Sequence, residues 1–140
     1  MYVLDTNVLS ELMRPKPNAG VMTWIDGNPA RHLFISAITM AEIELGIALL
    51  PEGKRRDALA IQAQQMFKED FANRCISFEP KCAAIYADVV ATRTRLGLPI
   101  SVEDAQIAAI CIANQKILVT RNTVDFEKIN GLQVLNPWKM

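Results

Sequence analysis

The residues best suited to chemistry in this chain are four carboxylates spread along its length: Asp5, Glu42, Asp104 and Asp125. Asp5 ends a short apolar run, Tyr2-Val3-Leu4, and Asp125 lies a few residues beyond another, Ile117 to Val119. Glu42 falls in the helical stretch that follows a third run, His32-Leu33-Phe34-Ile35. Asp104 opens the apolar stretch that precedes Ile117. If the apolar runs are parallel strands, such acids gather at one edge, because working groups collect outside the strands' carboxyl ends. Gathered acids need a cation. Two carboxylates ~4 Å apart repel by roughly 4 kcal/mol at an effective dielectric near 20, and a divalent ion removes that repulsion. All-oxygen ligands favour Mg²⁺ or Mn²⁺ over zinc. The single His32 and the scattered Cys75, Cys82 and Cys111 offer no zinc set.

Each acid also has a purely structural reading. Asp5 can cap a helix beginning near Asn7, and Ser101-Val102-Glu103-Asp104 fits a capping box. Asp125 can be a solvated turn residue. Glu44 lies about 200° around a helix from Glu42, so only one of the pair faces a given cleft. Periodicity does not choose between them.

Other chemistries lack their residues. With His32 alone, at the start of a strand and away from the carboxyl edge, neither a histidine-based ribonuclease nor a Ser-His or Cys-His hydrolase is expected. No G-x-S-x-G elbow, phosphate-binding Walker loop or G-x-G-x-x-G is present. Fifteen Lys and Arg balance fifteen Asp and Glu, for a formal net charge of zero. That excludes attachment to nucleic acid by bulk positive charge. It leaves nucleic acid open as a substrate, because a bound cation supplies positive charge locally. Lys54-Arg55-Arg56, Arg14 and Arg121 are the candidate guides for a phosphate backbone; for the Lys54–Arg56 cluster the alternative is an ordinary solvated helix start.

The elements that must position the acids follow from the hydrophobic pattern. The chain has 140 residues, 51% hydrophobic and 21% charged, with no repeat and no linker, so one folded domain spanning 1–140 is expected. Strands are expected at Tyr2–Leu4, His32–Ile35, Cys75–Phe78 and Ile117–Val119, with a last edge strand within Leu132–Leu135. Helical patterns lie between them: from Val8 to Met13, from Ser36 towards Pro51, from Leu59 to Phe71, from Ala83 to Thr94 and from Ala105 to Ala113. Strands alternating with helices imply a three-layer α/β/α domain around a central, mostly parallel sheet of about five strands. The opening residues lack a basic signal region, and the longest apolar stretch, Ile35 to Leu50, is short and broken by Glu42 and Glu44. An odd cysteine count without C-x-x-C suggests reduced thiols. A cytoplasmic protein without membrane attachment is expected.

Four ordered motifs carry a family resemblance: Leu4-Asp5-Thr6-Asn7-Val8, Ser36-Ala37-Ile38-Thr39-Met40-Ala41-Glu42, the helix Asp104…Ile107-Ala108-Ala109, and Thr120-Arg121-Asn122-Thr123-Val124-Asp125-Phe126. Together they resemble a PIN domain, and more narrowly the VapC/FitB-type toxins of bacterial toxin–antitoxin pairs. Ser10-Glu11, Gly46 and Asn136-Pro137-Trp138 strengthen the likeness, which covers essentially the whole chain.

The resemblance implies an endoribonuclease dependent on Mg²⁺ or Mn²⁺, usually a homodimer, held inactive by a cognate antitoxin that binds DNA. Asp5, Glu42 and Asp104 match the three principal acids. Relatives place the fourth acid at either of two positions; here the first is Asn122, which leaves Asp125. Thr6, Asn7 and Thr39 match polar positions lining the site. The expected reaction is hydrolysis of an RNA phosphodiester by a metal-activated water, with all four acids as metal ligands or their supports. Trp24, Leu49, Leu50 and Phe67 are candidates for a groove accepting the antitoxin, or for core packing. Two rival readings stand beside this one. The first is a haloacid-dehalogenase-like phosphatase with Asp5 as nucleophile, although Asp5-Thr6-Asn7 lacks its second acid. The second is a catalytically inactive interaction domain.

Overall fold

Five short strands carry the fold in the computed structural model, which describes all 140 residues: β1 (Tyr2–Leu4), β2 (Leu33–Ser36), β3 (Cys75–Ile76), β4 (Ile117–Val119) and β5 (Val134–Leu135). Every pairing is parallel, in the order β3-β2-β1-β4-β5. Six helices surround them: α1 (Thr6–Leu12), α2 (Ala19–Asp26), α3 (Ala37–Ala48), α4 (Lys54–Gln65), α5 (Ala83–Arg95) and α6 (Val102–Ala113).

Strand side chains alternate between two buried layers. Leu4, Leu33, Ile35 and Val119 join Val8, Leu9, Val21, Ile43, Ile47 and Ala63 from α1 to α4. Val3 and Leu118 point the other way, onto Ile107, Ala108 and Cys111 of α6. Both faces of β1 and β4 are therefore covered, which is why their sequences are apolar without a polar alternation. The expected three-layer α/β/α arrangement with its parallel sheet is what forms.

The topology creates one special position. From β1 the chain steps outward through β2 to β3, then returns across the sheet through α5 and α6 to β4 on the other side of β1. Strand order thus reverses between β1 and β4. The crevice outside their carboxyl ends is where open α/β sheets hold ligands.

Caps set where the helices begin. Ser36 accepts from the Thr39 N–H at 3.1 Å, Asn18 from Val21 at 3.0 Å and Ser101 from Asp104 at 3.1 Å. At the end of α5, Gly97 takes φ +72° and the Leu98 N–H returns to the Arg93 carbonyl at 2.9 Å, a left-handed helix stop that favours glycine. The buried Arg93 side chain then ties this turn down by donating to the Leu98 and Glu127 carbonyls.

Several elements differ from the sequence expectation: β2 is Leu33–Ser36, one residue later than expected, and α4 spans Lys54–Gln65 where Leu59 to Phe71 was expected. Helix α2 was not expected, and β3 is two residues long where four were expected, pairing with Ile35 and Ser36 of β2. The last strand is confined to Val134 and Leu135 of the four residues expected. No helix is long and apolar enough to cross a membrane.

Candidate active site

At the crevice, the end of β1 and the end of β4 are stitched together around Asp5. The Asp5 N–H donates to the Val119 carbonyl at 2.9 Å, which extends the ladder by one residue. Its carboxylate, only 4% exposed, works twice. Oδ1 accepts from the Thr6 N–H at 2.8 Å and so caps α1, while Oδ2 accepts from the Thr120 hydroxyl at 2.8 Å and from Asn7 Nδ2 at 3.3 Å. Capping and site roles are compatible at this position.

Thr120 is the residue that sequence reasoning missed. It is fully buried, and its hydroxyl gives its proton to Asp5 while accepting from Asn7 Nδ2 at 3.0 Å and from the Asn122 N–H at 3.1 Å. Both lone pairs and the single proton are in use, so the hydroxyl has one orientation. The available signal was a hydroxyl residue placed directly after a buried Ile-Leu-Val strand. Asn122 contributes its backbone N–H here.

Glu42 is held from a different direction. Its Oε1 accepts from the Thr6 hydroxyl at 2.7 Å, and Thr6 Oγ1 lies 3.1 Å from Thr39 Oγ1. With the Glu42 carboxylate ionised, the only Thr6 hydroxyl proton goes to Glu42, so Thr39 must donate to Thr6. Of the two glutamates in α3, Glu42 is half-buried against Thr6 and Glu44 is exposed.

Asp5, Glu42 and Asp104 each feel a neighbouring carboxylate. Burial raises the Asp5 pKa against the hydrogen bonds from Thr120, Thr6 and Asn7, with a further push from the Asp125 charge. Burial likewise raises Glu42, opposed by Thr6 and reinforced by Asp5 and Glu103. Asp104 is pushed up to about 6, first by burial, then by the charges of Asp5 and Asp125, with a smaller push from Glu42; only the Ser101 hydroxyl opposes. Asp125 stands exposed in a 3₁₀ turn, Thr123–Phe126, with its field reaching Asp5 and Asp104.

No three His, Cys, Asp or Glu side chains stand close enough to cage a metal ion by themselves. His32 sits at the amino end of β2, away from the acids, and all three cysteines are free thiols, with Cys82 and Cys111 buried. An all-oxygen donor set with mutually repelling carboxylates fits a hard divalent cation.

The comparisons with known proteins show the family to which this fold belongs. A family model described as PIN domain matches residues 2–132. The chain belongs to the PIN-domain family. It is 45% identical over 139 residues to the plasmid stability protein StbB of Pseudomonas syringae pv. tomato, covering 99% of each chain. It is 38% identical over 139 residues to a VapC ribonuclease of Sinorhizobium fredii, again covering 99% of each. Among solved structures, FitAcB from Neisseria gonorrhoeae superposes with a TM-score of 0.92 at 38% identity, covering 100% of both chains. FitAB bound to a DNA fragment matches equally well, with a TM-score of 0.92.

A groove of about 580 Å³ runs from the acid edge of this PIN domain along α1, α3 and α4. Thr6 and Glu42 close one end, Ile43, Ile47, Leu50 and Leu59 form apolar wall, and Arg14 and Arg55 add positive charge. Lys54 and Arg56 lie outside it. Arg14 also pairs with the buried Glu11 at 3.3 Å. Of the four apolar groove candidates, Leu50 lines this groove and Leu49 is 76% exposed. Trp24 and Phe67 are occupied by packing: Trp24 meets Tyr2 edge-on at 5.0 Å, and both join the layer around Leu4.

Proposed function

We propose that this PIN domain is the toxin of a toxin–antitoxin pair, an endoribonuclease that hydrolyses RNA phosphodiesters with Mg²⁺ or Mn²⁺. The observation that carries the reading is the set of four carboxylates whose fields meet at the β1/β4 switch point, none of them paired with a cationic side chain. A binding module gains nothing from such concentrated repulsion. The phosphatase alternative lacks its second acid, since Thr6 and Asn7 follow Asp5.

Asp5 and Asp104 would hold the cation most directly, with Glu42 and Asp125 reaching it through water. When bound, the ion supplies Lewis-acid polarisation of a phosphoryl oxygen and lowers the pKa of water. The protein's own groups do the rest. Thr120 and Asn7 fix the Asp5 carboxylate, and Thr39 fixes Thr6, which fixes Glu42 so that it can orient the attacking water. Asp125 takes the fourth-acid role in place of Asn122. Arg14, Arg55 and Arg121 would meet the RNA backbone, with Lys54 and Arg56 more remote.

The similarity to a VapC ribonuclease and to the FitAB complex, seen also on DNA, supports a cognate DNA-binding antitoxin as partner. A homodimer working in the cytoplasm completes the proposal. The antitoxin would silence the site by placing a basic side chain in the acid edge, where it competes with the cation. Expression of the chain without antitoxin is expected to arrest growth and leave cleaved RNA ends. The Asp5→Asn variant, equally folded, is expected to do neither; full toxicity in that variant would overturn the site assignment.

A further inference from the structure

Arg121 is a cation without an acid beside it. The chain has two ion pairs, Arg14–Glu11 and Lys81–Glu79, and Arg121 takes part in neither. Its backbone position is fixed by the site: the Arg121 N–H donates to Asn7 Oδ1 at 3.1 Å, and Asn7 Nδ2 donates in turn to Asp5 Oδ2. Two hydrogen bonds thus separate the Arg121 backbone from the Asp5 carboxylate. The exposed side chain does not wander freely, because its guanidinium carbon lies 5.2 Å from the ring centroid of Trp138.

Trp138 is a firm support. It stands in the 3₁₀ turn Pro137–Lys139, which directly follows β5 on the same edge of the sheet as the acids. Asn136 Oδ1 accepts from the Trp138 N–H at 2.9 Å, Pro137 is buried, and the indole packs on the layer containing Leu4 and Val119. A guanidinium lying on an aromatic face keeps its N–H edge free, and that planar fork matches two phosphate oxygens.

We infer that Trp138 is a positioning residue that holds Arg121 beside the acid site as an anchor for an RNA backbone phosphate flanking the cleaved bond. The inference rests on the nuclease reading and adds to it the residue that aims Arg121 and the place of its phosphate beside the cleaved bond. An exposed arginine left to itself spreads over many rotamers, and ordering it at binding costs entropy. Parked on the indole, it meets the phosphate with its fork already oriented.

The test uses the Asp104→Asn protein, so that RNA is bound and not cut, with a fluorescent single-stranded RNA of mixed sequence titrated at several salt concentrations. Arg121→Gln is expected to weaken binding several-fold and to reduce the salt slope by about 0.7, the value for one phosphate contact on a single strand. Trp138→Leu should weaken binding in the same direction, Trp138→Phe should restore it, and Trp138→Leu should add nothing to Arg121→Gln. Arg121→Lys should keep the slope while losing its dependence on Trp138. Thermal melting confirms that each variant is folded at the assay temperature.

A parental slope in Arg121→Gln overturns the phosphate anchor. Parental binding by a folded Trp138→Leu overturns the positioning role, since a packing residue would shift only the melting temperature. If the Asp104→Asn parent binds no RNA at any salt concentration while the wild type cleaves RNA in Mg²⁺, this inference falls and the nuclease reading stands; if the wild type also fails to cleave, both fall.

Discussion

Burial and neighbouring carboxylates push Asp104 up to about 6, and they raise Asp5 and Glu42 in the same direction. The folded, metal-free protein therefore binds protons more tightly at these groups than the unfolded chain does. Such a group contributes stability below its ordinary value, and that contribution is lost as pH rises through the folded pKa. For Asp104 the window runs from near 4 to about 6. Without divalent cation, the melting temperature is expected to decline across it, and Asp104→Asn should flatten the decline. A pH-independent offset between the two proteins would contradict the coupled-acid geometry. Thr6 tests the other side of the site: Thr6→Val removes the hydroxyl on Glu42, and loss of such an orienting partner typically costs about 10–100-fold in activity. Thr6→Ser should restore most of it. Wild-type turnover in Thr6→Val would remove Glu42 from the mechanism as written.

At the scale of elements, the acids meet because parallel strands end together, and that depends on the two buried layers. Leu118 is fully buried on the α6 side, so Leu118→Ala is expected to cost about 2–5 kcal/mol in urea unfolding. Val124, 68% exposed, should cost within about 0.5 kcal/mol on the same change. Comparable losses at the two positions would contradict the layer assignment. This scale also shows what the sequence made legible. Ile117–Val119 could be read to the residue, because a short, β-branched apolar run bounded by polar residues favours a strand covered on both sides. Helix α2 could not: Pro15 and Pro17 precede it, Gly20 interrupts it, and eight residues give barely two turns of periodicity. Strand lengths at the sheet edges were overestimated because they depend on what the neighbouring strand offers, which no local pattern records.

For the whole molecule, zero net charge is consistent with a site meant to carry its own cation. Under the proposed function, acids at the switch point would repel substrate until a divalent ion arrived, and the groove beside them adds Arg14 and Arg55. The structure brings Asp5 and Glu42 within electrostatic reach of Asp104, and the order of the motifs carrying these three acids was legible. Thr120, the choice of Glu42 over Glu44 and the support of Arg121 by Trp138 were not, since each depends on packing between segments far apart in the chain.

The central claim is tested most directly by incubating antitoxin-free protein with a structured RNA pool, in Mg²⁺ and in EDTA, beside Asp104→Asn. Cleavage by the wild type in Mg²⁺ alone, with EDTA and the variant both silent, is the predicted result. Equal cutting by wild type and variant, or cutting that persists in EDTA, would contradict the metal-dependent carboxylate site.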